Sequence, residues 1–131
     1  MNKNQIPVTA SDSKTLPILF PFTSNLSKNK MKGTANGRIY LTNKYRMARD
    51  ALATLIKFTY QRTEWKFEER RMWIYCVVEM PNHNGDCANY VDGIFDAIEI
   101  GLGINDKWYA IYYWDWAVKT NGNFIIKISQ S

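Results

Sequence analysis

The sequence predicts a single α+β domain in which the elements run β-α-β-α-β-β and the strands form a mixed sheet with two main helices. Three observations lead there. The chain has 131 residues and 46% hydrophobic content, which suits one domain with a real core. Two stretches carry apolar residues at helical spacing, one from about residue 43 to 61 and one along Val91, Ile94, Phe95, Ile98 and Leu102. Between and around them lie short runs rich in Ile, Val, Trp, Tyr and Phe, as strands require.

Taken in order, residues 1–15 are polar and read as a flexible N-terminal arm, with the folded domain at 16–131. They lack an apolar run, so no secretory leader is expected. Leu16 to Phe22 reads as a strand, and Pro17 and Pro21 direct it to a sheet edge. Ser24 to Tyr40 reads as a long loop without regular structure. It holds Lys28, Lys30, Lys32 and Arg38 and no acid. Such a loop is either a solvated surface or an arm that contacts phosphates, and the second reading is preferred.

Thr42 or Asn43 is placed to cap the first helix, which runs to about Gln61. Ala48, Leu52, Leu55, Ile56 and Thr59 form its inner face. Arg46 and Arg49, three apart, share another face. Arg71 to Met80 is a strand with apolar residues at both parities, which suits a central position covered on both sides. Pro81 ends it, and Asn82 to Gly85 turn the chain into the second helix. Gly101 and Gly103 close that helix. Trp108 to Val118 is an aromatic strand. Asn121-Gly122 predicts a hairpin into the last strand, Asn123 to Ile128.

The net charge of +5 and pI near 9.2 suit a nucleic-acid partner. Cys76 and Cys87 show no spacing typical of a disulfide framework or zinc knuckle, so a reducing cytoplasm is expected. No apolar run is long enough to span a bilayer, and no membrane partner is expected. Within this basic chain, Asp86, Asp92, Asp96, Glu99 and Asp106 gather on and around the second helix. Hard cations such as Mg²⁺ use one or two carboxylates together with water and substrate phosphate, so these acids are candidate metal ligands. Acids in a first helical turn are also favoured by the helix dipole alone.

Ser27-Lys28-Asn29, Met80-Pro81, Asp86-Cys87-Ala88-Asn89, Asp96-Ala97-Ile98 and Asn105-Asp106 occur in an order and spacing that resembles the RusA family of Holliday junction resolvases. The resemblance runs from Pro21 onward. The family pattern is a basic Ser-Lys-Asn loop, a strand ending in Pro, Asp-x-Asp-Asn, Asp-Ala-Leu, and Asp-Asp before the next strand. Three positions depart from it: Ala88 stands for the second acid, Asp92 for an assisting Lys, and Asn105 for the first acid of Asp-Asp.

The resemblance implies an endodeoxyribonuclease dependent on Mg²⁺, or Mn²⁺ in its place, that resolves four-way or other branched DNA. Its catalytic and metal-binding residues would be Asp86, Asp92 and Asp106, with Asp92 compensating for Ala88, and Asn89 would orient or cap. Asp92 also reads as an N3 residue boxed with Asn89. Lys28, Lys30, Lys32, Arg38, Arg46 and Arg49 would grip phosphates. The alternative is a catalytically weakened DNA-binding accessory of recombination or replication on the same fold. Asp86 and Asp106 flank a helix of about 12 residues, ~18 Å long. A homodimer in which the two acids meet across subunits is therefore expected. A phage or bacterial source also follows from the resemblance.

Overall fold

In the computed structural model, which describes residues 14–131, the chain runs β1 (Lys14–Pro21), a 3-10 turn (Ser24–Leu26), α1 (Lys28–Met31), a hairpin of β2 (Lys32–Ala35) and β3 (Arg38–Leu41), and α2 (Asn43–Gln61). It continues through β4 (Met72–Met80), a 3-10 turn (Cys87–Tyr90), α3 (Val91–Leu102), a third 3-10 turn (Asp106–Trp108), β5 (Tyr109–Val118) and β6 (Asn123–Gln130). The result is a small α+β domain with a mixed four-stranded sheet of order β1-β6-β4-β5 and a separate two-stranded hairpin. The N-terminal arm expected over residues 1–15 falls outside the described residues up to 13, and Lys14 and Thr15 instead open β1.

The main elements follow from local chemistry. Thr42 caps α2 as expected, its Oγ1 accepting the Tyr45 N–H at 3.2 Å. α3 ends in Gly103, whose φ of 73° is the left-handed conformation that glycine adopts at little cost. Gly101 does not close the helix. It is buried where α3 crosses α2, and an added Cβ there would lie 2.7 Å from Ile56 Cγ2. β4 and β5 are parallel with α3 as their crossover, the usual way to join parallel neighbours.

The core lies between the sheet and the two long helices. The even-numbered side chains of β4 (Met72, Ile74, Cys76, Val78, Met80) and of β6 (Phe124, Ile126, Ile128) are buried, as are Leu52 and Ile56 of α2 and Ile94 and Ile98 of α3. β4 is central, as its two apolar faces predict, but among the described residues only one face is covered. Trp73, Tyr75 and Val77 on the other are half-exposed.

Two further expectations fail. Ser24 to Tyr40 is not a structureless loop. It holds a short helix and the β2–β3 hairpin, whose turn places Asn36 (φ 53°) and Gly37 (φ 75°) in the left-handed region. Asn121-Gly122 does not make a hairpin between neighbours, because β5 and β6 sit on opposite sides of β4. The connection passes over the end of β4 instead. There the Lys119 N–H donates to the Met80 carbonyl at 2.7 Å and the Asn123 N–H to Glu79 Oε1 at 3.0 Å. Gly122 is needed for that passage, since an added Cβ would lie 2.4 Å from Glu79 Cβ and 2.7 Å from its carbonyl oxygen.

Candidate functional site

The basic segment and the acid-bearing helix meet. The 3-10 turn Ser24–Leu26 lies against the first turn of α3, where Gly93 leaves no room for a side chain: a Cβ would come within 2.5 Å of the Leu26 carbonyl oxygen. α1 touches both α3 and the turn Cys87–Tyr90. Ser27, itself buried, caps α1 by accepting the Asn29 N–H at 3.2 Å. Thr42 ties α1 to α2, donating its hydroxyl to the Lys30 carbonyl at 2.7 Å and its N–H to the Met31 carbonyl at 3.0 Å. Lys28, Lys30 and Lys32 are thus carried on a scaffold fixed to the helix that bears the acids.

Lys28, Lys30, Lys32, Arg38, Lys44 and Arg46 are exposed and form no ion pair among the described residues. Lys30 Nζ donates to Ser24 Oγ at 2.6 Å, which steadies it against the turn. Arg49 sits differently. Its side chain is 19% exposed, paired with Asp50 at 3.0 Å and lying over the Tyr45 ring. Of the two arginines expected to share a DNA-facing surface, Arg46 is free and Arg49 is already engaged.

The acids fall into separate neighbourhoods. Asp86 caps the turn Cys87–Tyr90, its Oδ1 accepting the Ala88 N–H at 3.0 Å. The cap expected of Asn89 is not made: Asp86 caps the 3-10 turn, α3 has Tyr90 at its N-cap with no side-chain cap bond, and Asn89 lies inside the turn, its N–H donating to the Asp86 carbonyl at 3.0 Å. The Cys87 thiol has its pKa raised by partial burial, then by the Asp86 and Asp115 carboxylates, which places both acids near it. Trp114 anchors this turn to β5, its indole N–H donating to the Cys87 carbonyl at 2.8 Å.

Asp92 is exposed in the first turn of α3. One turn on, Asp96 accepts the Tyr45 hydroxyl at 2.5 Å, which gives it a structural partner. Burial, then Asp96, raises the Tyr45 pKa, with a further contribution from Asp92. At the far end of α3, Glu99 Oε1 accepts the Asp106 N–H at 2.8 Å. Asp106 is exposed, and the nearby Tyr109 hydroxyl has its pKa raised by burial first, then by Glu99 and Asp106.

Among the described residues, no group of three or more His, Cys, Asp or Glu side chains is placed to hold a metal ion. Asp86, Asp92 and Asp106 are therefore not brought together within one chain. Asp115 is the neighbouring acid that sequence spacing did not single out. Asp115 hides in an aromatic strand, and only the parallel pairing of β4 with β5 carries it towards Cys87. Cys76 and Cys87 are both free thiols. No helix among the described residues is long and apolar enough to cross a membrane. Comparison with known proteins finds no matching family model and no matching curated protein.

Proposed function

We propose that the protein is a RusA-like, Mg²⁺-dependent endonuclease that acts as a homodimer on four-way or other branched DNA in a bacterial or phage-infected cytoplasm. The observation that carries this reading is the seating of the basic segment on α3 through Gly93 and Leu26, which joins phosphate-binding cations and exposed carboxylates in one unit. Phosphate contacts from Lys28, Lys30, Lys32, Arg38 and Arg46 would position the duplex arms without reading bases.

The donors fit a hard divalent ion. Asp92 and Asp106 are exposed, and Asp86 spends one oxygen on its cap, which leaves the other for a ligand bond. When bound, the ion would supply an activated water and charge stabilisation at the phosphodiester. Because Asp86 and Asp106 lie at opposite ends of α3, a two-fold dimer is inferred to pair Asp86 of one chain with Asp106 of the other. Among the described residues β5 has one unpaired edge, and it exposes Ile111, Tyr113, Trp116 and Val118, which suits a partner strand.

The second reading, a DNA-binding accessory with a weakened site, is favoured by Ala88, which offers no oxygen where the family pattern has a carboxylate. Cleavage of a synthetic four-way junction in Mg²⁺ separates the two. Asp86→Asn and Asp106→Asn are each expected to abolish nicking. Mixing the two inactive variants should restore single nicks, because one site of the mixed dimer regains both acids. Undiminished cutting by both variants would sink the metal assignment, and lack of complementation would sink the shared site.

A further inference from the structure

The sheet face turned away from α2 and α3 carries a groove of about 260 Å³ lined by Thr15, Pro17, Trp73, Tyr75, Tyr112, Lys127 and Ser129. Pairing explains its composition. Pro17, Lys127, Tyr75 and Tyr113 form one row across all four strands, and Thr15, Ser129 and Trp73 form the next. The register irregularity in β5 beside Ile74/Tyr75 adds Tyr112 to this face. Tyr75 stacks on Tyr113 at 5.0 Å between centroids and 16°, and on Tyr112 at 6.3 Å and 27°.

Two cations accompany the rings. Lys127 Nζ lies 4.9 Å from the Tyr75 centroid, and the Arg71 guanidinium 5.4 Å from that of Trp73. Neither forms an ion pair among the described residues, and no carboxylate lines the groove. Half-exposed aromatic rings flanked by unpaired cations complement one ligand chemistry well: planar bases joined by phosphates. An acidic protein surface could pair with the cations, but a nucleotide strand uses both features in each repeat, its base on the rings and its phosphate on the cations.

We propose that this groove binds unpaired nucleotides of single-stranded DNA, with Trp73, Tyr75 and Tyr112 stacking on bases and Lys127 and Arg71 on phosphates. The groove opens beside the start of β4, whereas Asp86 follows its end, and it faces away from the helices. It is therefore a second nucleic-acid surface, and it does not depend on the nuclease reading. Extension of the sheet through the β5 edge would leave it open, because strand addition proceeds in the plane of the sheet.

The test is fluorescence anisotropy of a labelled eight-nucleotide oligothymidylate, run beside a labelled four-way junction. The parent should bind the oligonucleotide. Trp73→Ala and Tyr112→Ala should each weaken that binding about 5- to 150-fold, the range for loss of one stacked base. Lys127→Gln, at an exposed position, should weaken it and lower the salt slope by roughly 0.7. Junction binding through Lys28, Lys30 and Lys32 should remain, and thermal melting would identify any variant that fails to fold.

Equal oligonucleotide binding by the parent and Lys127→Gln, or no binding by the parent, overturns the proposal. So does a parent dimer that dissociates on Tyr112→Ala without loss of oligonucleotide affinity, since the face would then be a contact between copies. Absence of Mg²⁺-dependent junction cleavage by the parent, with the oligonucleotide result intact, would count against the nuclease reading alone.

Discussion

Tyr45 on α2 donates its hydroxyl to Asp96 on α3 over 2.5 Å, which links the two helices that cover the sheet. The ring is fully buried. Tyr45→Phe keeps the ring and removes the bond, leaving a half-buried carboxylate short of a donor. Loss of a hydrogen bond to a charged group costs about 1.5–3 kcal/mol, and urea denaturation would read it as a lower midpoint with an unchanged slope.

The same bond fixes an alkaline response. Burial and Asp96 raise the Tyr45 pKa above its ordinary value of 10.0, so the unfolded chain gives up this proton first as pH rises. Stability from this group is complete below pH 10 and declines above it. Buried Tyr90 and half-buried Tyr109 shift in the same direction, so the parent should lose stability steeply in alkali. Tyr45→Phe should make that decline shallower, and an unaltered pH dependence would contradict the assignment.

Where sequence pattern and burial coincide, the fold was legible. The stripe Leu52, Leu55, Ile56 behind Thr42 gave α2, the doubled apolar pattern gave a central β4, and Pro17 and Pro21 marked the edge strand β1. Tyr45 was missed from the core because a polar hydroxyl masks a buried ring. The β2–β3 hairpin was missed because its strands are only four residues long and largely exposed, so no alternation signals them. Asn36-Gly37 was the available clue. Asn121-Gly122 misled for the opposite reason: it is a local turn signal, whereas the insertion of β4 between β5 and β6 is decided by long-range pairing. The acids were located correctly along the helix, but their separation around it depends on which neighbours each one meets.

Gly93 is the point where the basic segment packs on α3. Alanine within a helix is normally favoured over glycine, by up to about 1 kcal/mol in a helix interior. Here its Cβ would meet a backbone carbonyl at 2.5 Å, and that oxygen cannot rotate away. Gly93→Ala should therefore destabilise the fold by about 1–3 kcal/mol, the range for overpacking. It should also weaken junction binding more than its effect on melting explains, because the basic segment loses its seat. A stabilised variant with full junction affinity would show that the contact does not position the segment.

If Lys28, Lys30 and Lys32 contact phosphates, each neutralisation to Gln should lower the salt slope of junction binding by about 0.9. The loss should be similar for junctions of different sequence, since phosphates carry no base identity. Arg49→Gln should change affinity less than Arg46→Gln, because Arg49 is already paired with Asp50 and packed on Tyr45. Filter-binding isotherms at several salt concentrations would measure both. A salt slope unmoved by the triple lysine variant would place the DNA elsewhere on the protein.

Ala88 and Asp92 decide between a compensated and a weakened metal site. Both are exposed, so substitution at either is free of packing cost. As an acid in the first turn of α3, Asp92 stabilises the helix by only about 0.3–1 kcal/mol through the dipole. Asp92→Asn should therefore leave melting nearly unchanged under either account, and cleavage becomes the informative reading. Compensation requires Asp92→Asn to abolish Mg²⁺-dependent nicking as completely as Asp86→Asn does. It also requires Ala88→Asp to restore nicking in the Asp92→Asn background, since the carboxylate would return at the position where the family pattern has it. Calorimetric titration with Mn²⁺ should follow the same order, with affinity lost in the single variant and regained in the double. If Asp92→Asn cuts like the parent, Asp92 is a helix-stabilising acid and no more. If the parent is inactive and Ala88→Asp alone creates nicking, the natural chain binds branched DNA without cutting it.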